Sequence, residues 1–357
     1  MSVNMRWHLF LFAKFRLRCV RARNHMSSTL LTRRQFLHQS FFYSAAFSLG
    51  ARAWAADASS GAAEFSADDT HYLMIGDWGY EKTRVNQVAV ANTMQDYVAA
   101  KKLTPDGLFL LGDNFYGPFK GGTDCPRWQD DFESIYPASS FPGPCWAILG
   151  NHDYDDEPVD KLNAELAYAK AHPGTRWTMP AKWYRLDLPA KKPLATLLML
   201  DSDYHNSAVS LTAEEKAAQM KWLVAELEKP RNTPYLIVMG HHPLYSNGHH
   251  GDDEALIADW EPLFKKYRVQ FYFFGHDHDL QHLEFADHPT SFVGSGAGGA
   301  NLYEILKPER GPYSGEVFGF THLQINAERI IVRHFDAEQK QVHAFSKTPA
   351  GKVRLLG

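Results

Sequence analysis

The chain has 357 residues, 37 Lys/Arg against 41 Asp/Glu, and a net charge of −4. At 45% hydrophobic residues it can bury a sizeable core. It has no Lys/Arg stripe, which argues against a nucleic-acid backbone as partner, and no C-x-x-C, which removes thiolate zinc and redox motifs.

The first 55 residues hold nine Lys/Arg and no Asp or Glu. Thr32-Arg33-Arg34-Gln35-Phe36-Leu37 precedes an apolar run from Phe41 to Leu49, and Ala53-Trp54-Ala55 follows as an A-x-A cleavage signature. A twin-arginine pair before a modest apolar stretch reads as a Tat export signal of a bacterial protein, destined for the periplasm or secretion. The run is far short of the roughly 20 residues a membrane span needs, so no stable anchor is expected. Met26 stands just ahead of the arginine pair as an alternative start. The expected division is therefore 1–55, extension and signal peptide, and 56–357, one catalytic domain without internal repeat or linker. Cleavage after Ala55 leaves 302 residues with 28 basic against 41 acidic side chains, a net charge of −13. Ala56 to Asp68 is small and polar and reads as a loose mature N-terminus.

Beyond it, apolar runs alternate with helical spacing. Helices are expected over Val85 to Lys102, Pro158 to Ala171, Thr212 to Lys229 and Asp253 to Tyr267. The third opens with a Thr-x-x-Glu capping box, Thr212 and Glu215. Strands alternating with helices imply parallel βαβ units. After Ser291 the pattern changes: Phe320 to Ile325 and Arg329 to Phe335 read as an antiparallel hairpin. Cys125 and Cys145 survive cleavage into an oxidising compartment, and their spacing leaves their pairing open.

Five apolar runs end in a Gly followed at once, or within one residue, by a metal-ligand type. Tyr72 to Gly76 leads to Asp77, and Leu108 to Gly112 to Asp113 with Tyr116. Trp146 to Gly150 leads to Asn151-His152, Leu236 to Gly240 to His241-His242, and Phe271 to Gly275 to His276-Asp277-His278. Read as buried strands, they deliver these residues to one edge of a sheet, where open α/β sheets bind ligands. A small residue before each ligand lets backbones crowd. With two oxygens, Asp113 has the means to bridge two cations. A phenolate from Tyr116 is a hard donor suited to trivalent iron. The competing reading of any one run is a strand end with a packed turn; five together point to a metal centre.

Gly76-Asp77-Trp78-Gly79, Gly112-Asp113-Asn114-Phe115-Tyr116, Gly150-Asn151-His152-Asp153, Val238-Met239-Gly240-His241 and Gly275-His276-Asp277-His278 resemble, in order, the five motif blocks of the purple acid phosphatases. The likeness is to their small, mammalian-type, single-domain branch and runs from about Thr70 to Phe335, through Arg176-Trp177, Trp183 to Leu186 and Gly294 to Gly299. It implies an α/β fold of two mixed β-sheets packed face to face and flanked by helices, as in calcineurin-like metallophosphoesterases. It also implies a ferric site of Asp77, Asp113, Tyr116 and His278 beside a divalent site of Asp113, Asn151, His241 and His276, with Asp113 shared. The donor chemistry agrees: three anionic oxygens and one imidazole favour Fe(III), and the other set favours Fe(II), Zn(II) or Mn(II). The wider superfamily usually carries a His two residues after its first Asp. Here that place is Gly79, and Tyr116 takes over.

The implied activity is that of an acid phosphatase on small phosphate monoesters: a metal-bound hydroxide attacks phosphorus directly, without a phosphoenzyme. His152 and His250 match the family's two histidines near the substrate, placed to bind a phosphoryl oxygen or protonate the leaving group. For His152 the plainer role is orienting a neighbouring ligand. His242 and His249 are expected to be packing or loop residues, and Asp277 to face away from the metals. Trp78, Phe115 and Tyr245 are expected in core or rim rather than in the substrate mouth. The stretch Asp201 to Leu211 is too short for the cleavable regulatory loop of mammalian-type relatives. A phosphodiesterase is the alternative function, which Gly79 and Tyr116 oppose; a non-enzymatic exported metal-binding protein is the other, opposed by the complete ligand set.

Overall fold

The computed structural model describes residues 65–80, 82–155, 160–204 and 210–357. The export signal, its cleavage site and the start of the mature chain lie outside the described residues, as do residues 205–209 of the stretch expected to be a short loop after Asp201.

Two mixed sheets carry the fold. In the first, β1 (Thr70–Ile75) lies between parallel β2 (Gly107–Leu110) and antiparallel β12 (Gly319–Ile325). Beyond β2 come β3 (Cys145–Ala147) and β4 (Trp177–Thr178). Beyond β12 come β13 (Ile330–Asp336), β14 (Gln341–Lys347) and β15 (Val353–Leu355). β12 and β13 form the expected hairpin. In the second sheet β6 (Ala195–Met199), β7 (Tyr235–Met239), β8 (Phe271–Phe274) and β10 (Ser291–Ser295) run parallel. Antiparallel β5 (Tyr184–Leu188), β9 (Leu280–Leu283) and β11 (Tyr313–Gly315) complete it.

Strand β7 shows why the runs are apolar throughout rather than alternating. Tyr235, Ile237 and Met239 enter the core between the sheets, while Leu236 and Val238 face α4 (Ala213–Glu228) and α5 (Glu254–Tyr267). Successive side chains point to opposite faces, and both faces are covered. Each fully buried side chain of β8 contributes roughly 1.5–3 kcal/mol. The other α-helices among the described residues are α1 (Val85–Lys101), the single turn α2 (Asn151–Tyr154) and α3 (Asp160–Ala171). Their caps follow the sequence. Lys102 adopts the left-handed conformation and stops α1. The Thr212 and Glu215 side chains each accept the other's backbone N–H. Asp253 caps α5 through Ala255 and Leu256.

One expectation needs correction. The five ligand-bearing strands do not share a sheet edge: β1, β2 and β3 belong to the first sheet, β7 and β8 to the second. Their carboxyl ends meet because the sheets are tied together there, Gly76 N–H donating to the Ser295 carbonyl at 2.7 Å. Cys125 and Cys145 are both buried and free, and burial pushes the Cys145 thiol up to about 12.

Candidate metal centre

Loops leaving the five strand ends build the site. Each makes a sharp turn, and Asp77, Asp113 and His276 all take positive φ, 59°, 50° and 65°. Such angles strain a side-chain-bearing residue and persist only where surrounding contacts hold them. The contacts are present. Asp77 N–H donates to the Gly112 carbonyl at 3.1 Å, and His276 N–H to Asp77 Oδ2 at 3.0 Å. Gly150 has to lack a side chain, since a Cβ there would stand 2.3 Å from Asp113 Oδ1. Gly79 is equally constrained: a Cβ would fall 1.8 Å from the Asn114 carbonyl oxygen, so a larger residue is incompatible with this course of the Asp113–Tyr116 loop. Arg127 fastens both loops, donating to the carbonyls of Gly79 (2.9 Å) and Tyr116 (2.6 Å).

The Tyr116 hydroxyl oxygen lies 3.1 Å from Asp113 Oδ2, 3.3 Å from Asp77 Oδ1 and 3.2 Å from His278 Nε2. His278 Nε2 is 3.4 Å from Asp77 Oδ1. Donors bound at about 2.1 Å and at right angles stand about 3.0 Å apart, so these four fit around one ion. His278 Nδ1 donates to the Asn301 carbonyl at 2.5 Å, which leaves Nε2 to face the cluster. Burial, then the two carboxylates, push the Tyr116 phenol well above its ordinary range, so its ionisation calls for a strongly charged cation.

Next to this cluster stand the side chains of Asn151, His241 and His276. His241 Nδ1 donates to the Leu111 carbonyl at 2.8 Å and turns Nε2 toward Asp113 Oδ2, 3.4 Å away. Asn151 Oδ1 and His241 Nε2 are buried polar atoms without a hydrogen-bond partner, an arrangement that a cation between them would relieve. Burial opposes a charge on His241, but Asp113 and Asp77 outweigh it and raise the imidazole to about 10; the same carboxylates would attract a metal in place of that proton. His276 is half-buried, and desolvation together with His242, His241 and His250 holds it well below its usual range and neutral, the form that binds metals. The donor sets therefore fit two adjacent ions. Asp113 turns Oδ2 toward both donor sets, because Oδ1 accepts the His152 N–H at 2.8 Å.

The structure brings all nine sequence-nominated residues to this place. The His152 ring is 4.3 Å from that of Tyr116, and its Nδ1 is 2.5 Å from Asp155. Burial would lower its pKa, but Asp155 and Asp113 more than compensate and raise it. His250 is exposed, 4.0 Å ring to ring from His276. Burial and neighbouring histidines lower its pKa despite Asp277. Asp277 faces away, accepting from Ser246 and from the His250 backbone. Trp78 and Phe115 are core, and the Tyr245 hydroxyl donates to Glu261.

Sequence reasoning passed over two residues and set a third, His242, aside. Asp153, inside a quoted motif, accepts from the backbone N–H groups of Asn114, Phe115 and Gly150 and so splices two ligand loops. Tyr303 stacks on His278 at 4.0 Å, and nothing near it in sequence signals this. His242 is buried, with its ring 4.3 Å from His276 and its Nδ1 3.0 Å from Ser202 Oγ, closer to the centre than a packing role suggests.

A cavity of about 710 Å³ opens beside Asn151, His250 and His276. Another, of about 610 Å³, lies among residues that precede strands, Pro234, Gln270 and Pro289, and none of the nine residues lines it.

Comparison with known proteins agrees with this fold. The family model for calcineurin-like phosphoesterases matches residues 70–280. Mouse tartrate-resistant acid phosphatase type 5 is 28% identical over 297 residues, covering 76% of this chain and 88% of that protein. Purple acid phosphatase 17 of Arabidopsis thaliana is 31% identical over 236 residues, 64% of this chain and 68% of its own length. The structure of a purple acid phosphatase from yellow lupin seeds superposes with a TM-score of 0.60 at 18% identity, over 79% of this chain and 54% of that one, a likeness of fold.

Proposed function

The chain belongs to the calcineurin-like phosphoesterases and is a hydrolase, and from that premise we propose that it is an exported acid phosphatase acting on phosphate monoesters at a dinuclear Fe(III)–M(II) centre. One observation carries the reading: a phenol oxygen within 3.1–3.3 Å of two carboxylate oxygens and an imidazole nitrogen. Asp77, Asp113, Tyr116 and His278 would hold the ferric ion, and Asp113, Asn151, His241 and His276 the divalent one, Fe, Zn or Mn. When bound, such a pair supplies Lewis acidity, making a water acidic enough to attack phosphorus at low pH and screening the phosphate charge.

The chain's own groups do the rest. Carbonyls of Leu111 and Asn301 fix the histidine tautomers. Asp155 keeps His152 protonated over a wider pH range, which suits it to give the leaving alkoxide a proton. His250, lowered and exposed, suits binding of a phosphoryl oxygen or relay of that proton. Export by the Tat route to the periplasm or medium is part of the proposal, motivated by the N-terminal signal.

Hydrolysis of 4-nitrophenyl phosphate and bis(4-nitrophenyl) phosphate, assayed on one sample of known metal content, tests the function. Preference for the monoester at acidic pH is expected. Faster cleavage of the diester makes the protein a phosphodiesterase, and no cleavage of either by protein holding two metals refutes the enzyme reading.

A further inference from the structure

The 710 Å³ cavity beside the divalent side of the centre has an unusual lining for an enzyme of anionic substrates. Together with Asn151, His250 and His276 it is lined by four carboxylates, Asp203, Asp252, Asp253 and Glu254, and among the described residues neither Lys nor Arg lines it. Two of the four are occupied. Arg310 holds Asp252 at 2.6 and 2.8 Å, and Asp253 caps α5. Glu254 lies in the first turn of that helix.

Asp203 differs. It follows β6 at the turn Asp201-Ser202-Asp203, and only 1% of its surface is exposed. Its Oδ2 is buried without a hydrogen-bond partner, and among the described residues no Lys or Arg pairs with it. Burial and the adjacent Asp201 carboxylate push the Asp203 carboxyl up to about 7, and a cation bound at Oδ2 would lower it again and favour the anion. A buried carboxylate that lacks a partner and lines a cavity is a receptor for positive charge.

We propose that Asp203 is the ammonium subsite of the substrate pocket and that the preferred substrates are phosphate monoesters of amino alcohols, with a cationic leaving group. The assignment rests on the phosphatase reading above. The reaction balances as ordinary hydrolysis. The oxygen of water forms a bond to phosphorus, the bond from phosphorus to the alkyl oxygen breaks with its electron pair staying on that oxygen, and a proton completes the free amino alcohol beside inorganic phosphate. The acidic wall also opposes leaving groups that bear further phosphates, since those would face the carboxylates of Asp203 and Glu254.

The test uses the metal-loaded protein and three alkyl phosphates: 2-aminoethyl phosphate, choline phosphate and neutral 2-hydroxyethyl phosphate. The wild type should favour the two cationic esters by about tenfold in kcat/KM, expressed mainly in KM, as one charge-assisted contact supplies. In Asp203→Asn, an isosteric change, that preference ratio should fall to near one, whatever the absolute rate. Binding of free choline, followed by calorimetry, should be measurable in the wild type and lost in Asp203→Asn. Monoester hydrolysis with no preference in the wild type, or a preference that survives in Asp203→Asn, overturns the subsite and leaves the phosphatase reading standing. If no monoester is cleaved, that reading fails and the choline measurement alone decides: binding that depends on Asp203 sustains the subsite, and its absence ends it.

Discussion

Oδ1 of Asp113 accepts the backbone N–H of His152 at 2.8 Å, which leaves Oδ2 as the one oxygen facing both donor sets. The contact couples three things the sequence lists separately: the shared carboxylate, the turn bearing Asn151, and the imidazole nominated as proton donor. It also orients Asp113 before any cation arrives.

Asp113→Ala removes the shared oxygen and the anchor of the Asn151 turn together. Activity and paired metal binding should both be lost, whereas Asn151→Ala should weaken mainly one of the two ions. Elemental analysis of each variant, against a wild type expected to hold two metals including iron, checks this. Near-normal turnover with two metals in Asp113→Ala would remove its bridging role.

Tyr116→Phe keeps the ring in its contact with His152 but deletes the phenol oxygen. Phenolate bound to Fe(III) gives a visible charge-transfer band, so wild-type protein should be coloured and the variant colourless at equal iron content, with an unchanged circular dichroism spectrum. Retained colour at full iron occupancy would strike out the phenolate.

His152→Ala and His250→Ala should each slow hydrolysis of alkyl phosphates by roughly 10²–10⁴-fold if they move the leaving-group proton, with metal content intact. The loss should shrink for aryl phosphates, whose leaving groups depart without a proton. Equal losses for both substrate types would assign them to phosphate binding.

Asp155 holds the raised pKa of His152 through the 2.5 Å contact. An imidazolium acid works below its pKa and is spent as pH rises through it, so the alkaline limb of the rate profile belongs to His152. Asp155→Asn removes the anion, lowers that pKa and should move the limb toward acid. Profiles of kcat against pH for an alkyl phosphate measure the shift; an unmoved limb would separate Asp155 from the proton donor.

Asp153→Ala strips three backbone N–H groups of their buried acceptor. A loss of roughly 1–3 kcal/mol for each donor left unsatisfied is the upper range, reduced where water enters. A melting temperature unchanged from wild type would mean that the two ligand loops do not depend on this splice.

The candidate ligands were legible in the sequence because a strand end is a local feature. An apolar run, a glycine and a polar donor follow one another along the chain, and the strand carries that donor to its carboxyl tip whatever the rest of the fold does. The capping box of Thr212 and Glu215 and the final hairpin were legible for the same reason, each being a contact between near neighbours. What the tertiary structure alone decided depends on groups far apart in the chain. The division of the five strands between two sheets follows from pairings such as β1 with β12. The tautomer of His241 is set by the carbonyl of Leu111, 130 residues away. The stacking of Tyr303 on His278 and the lone buried oxygen of Asp203 arise where packed layers meet, and no periodicity records them, because burial and partnership are properties of the assembled core.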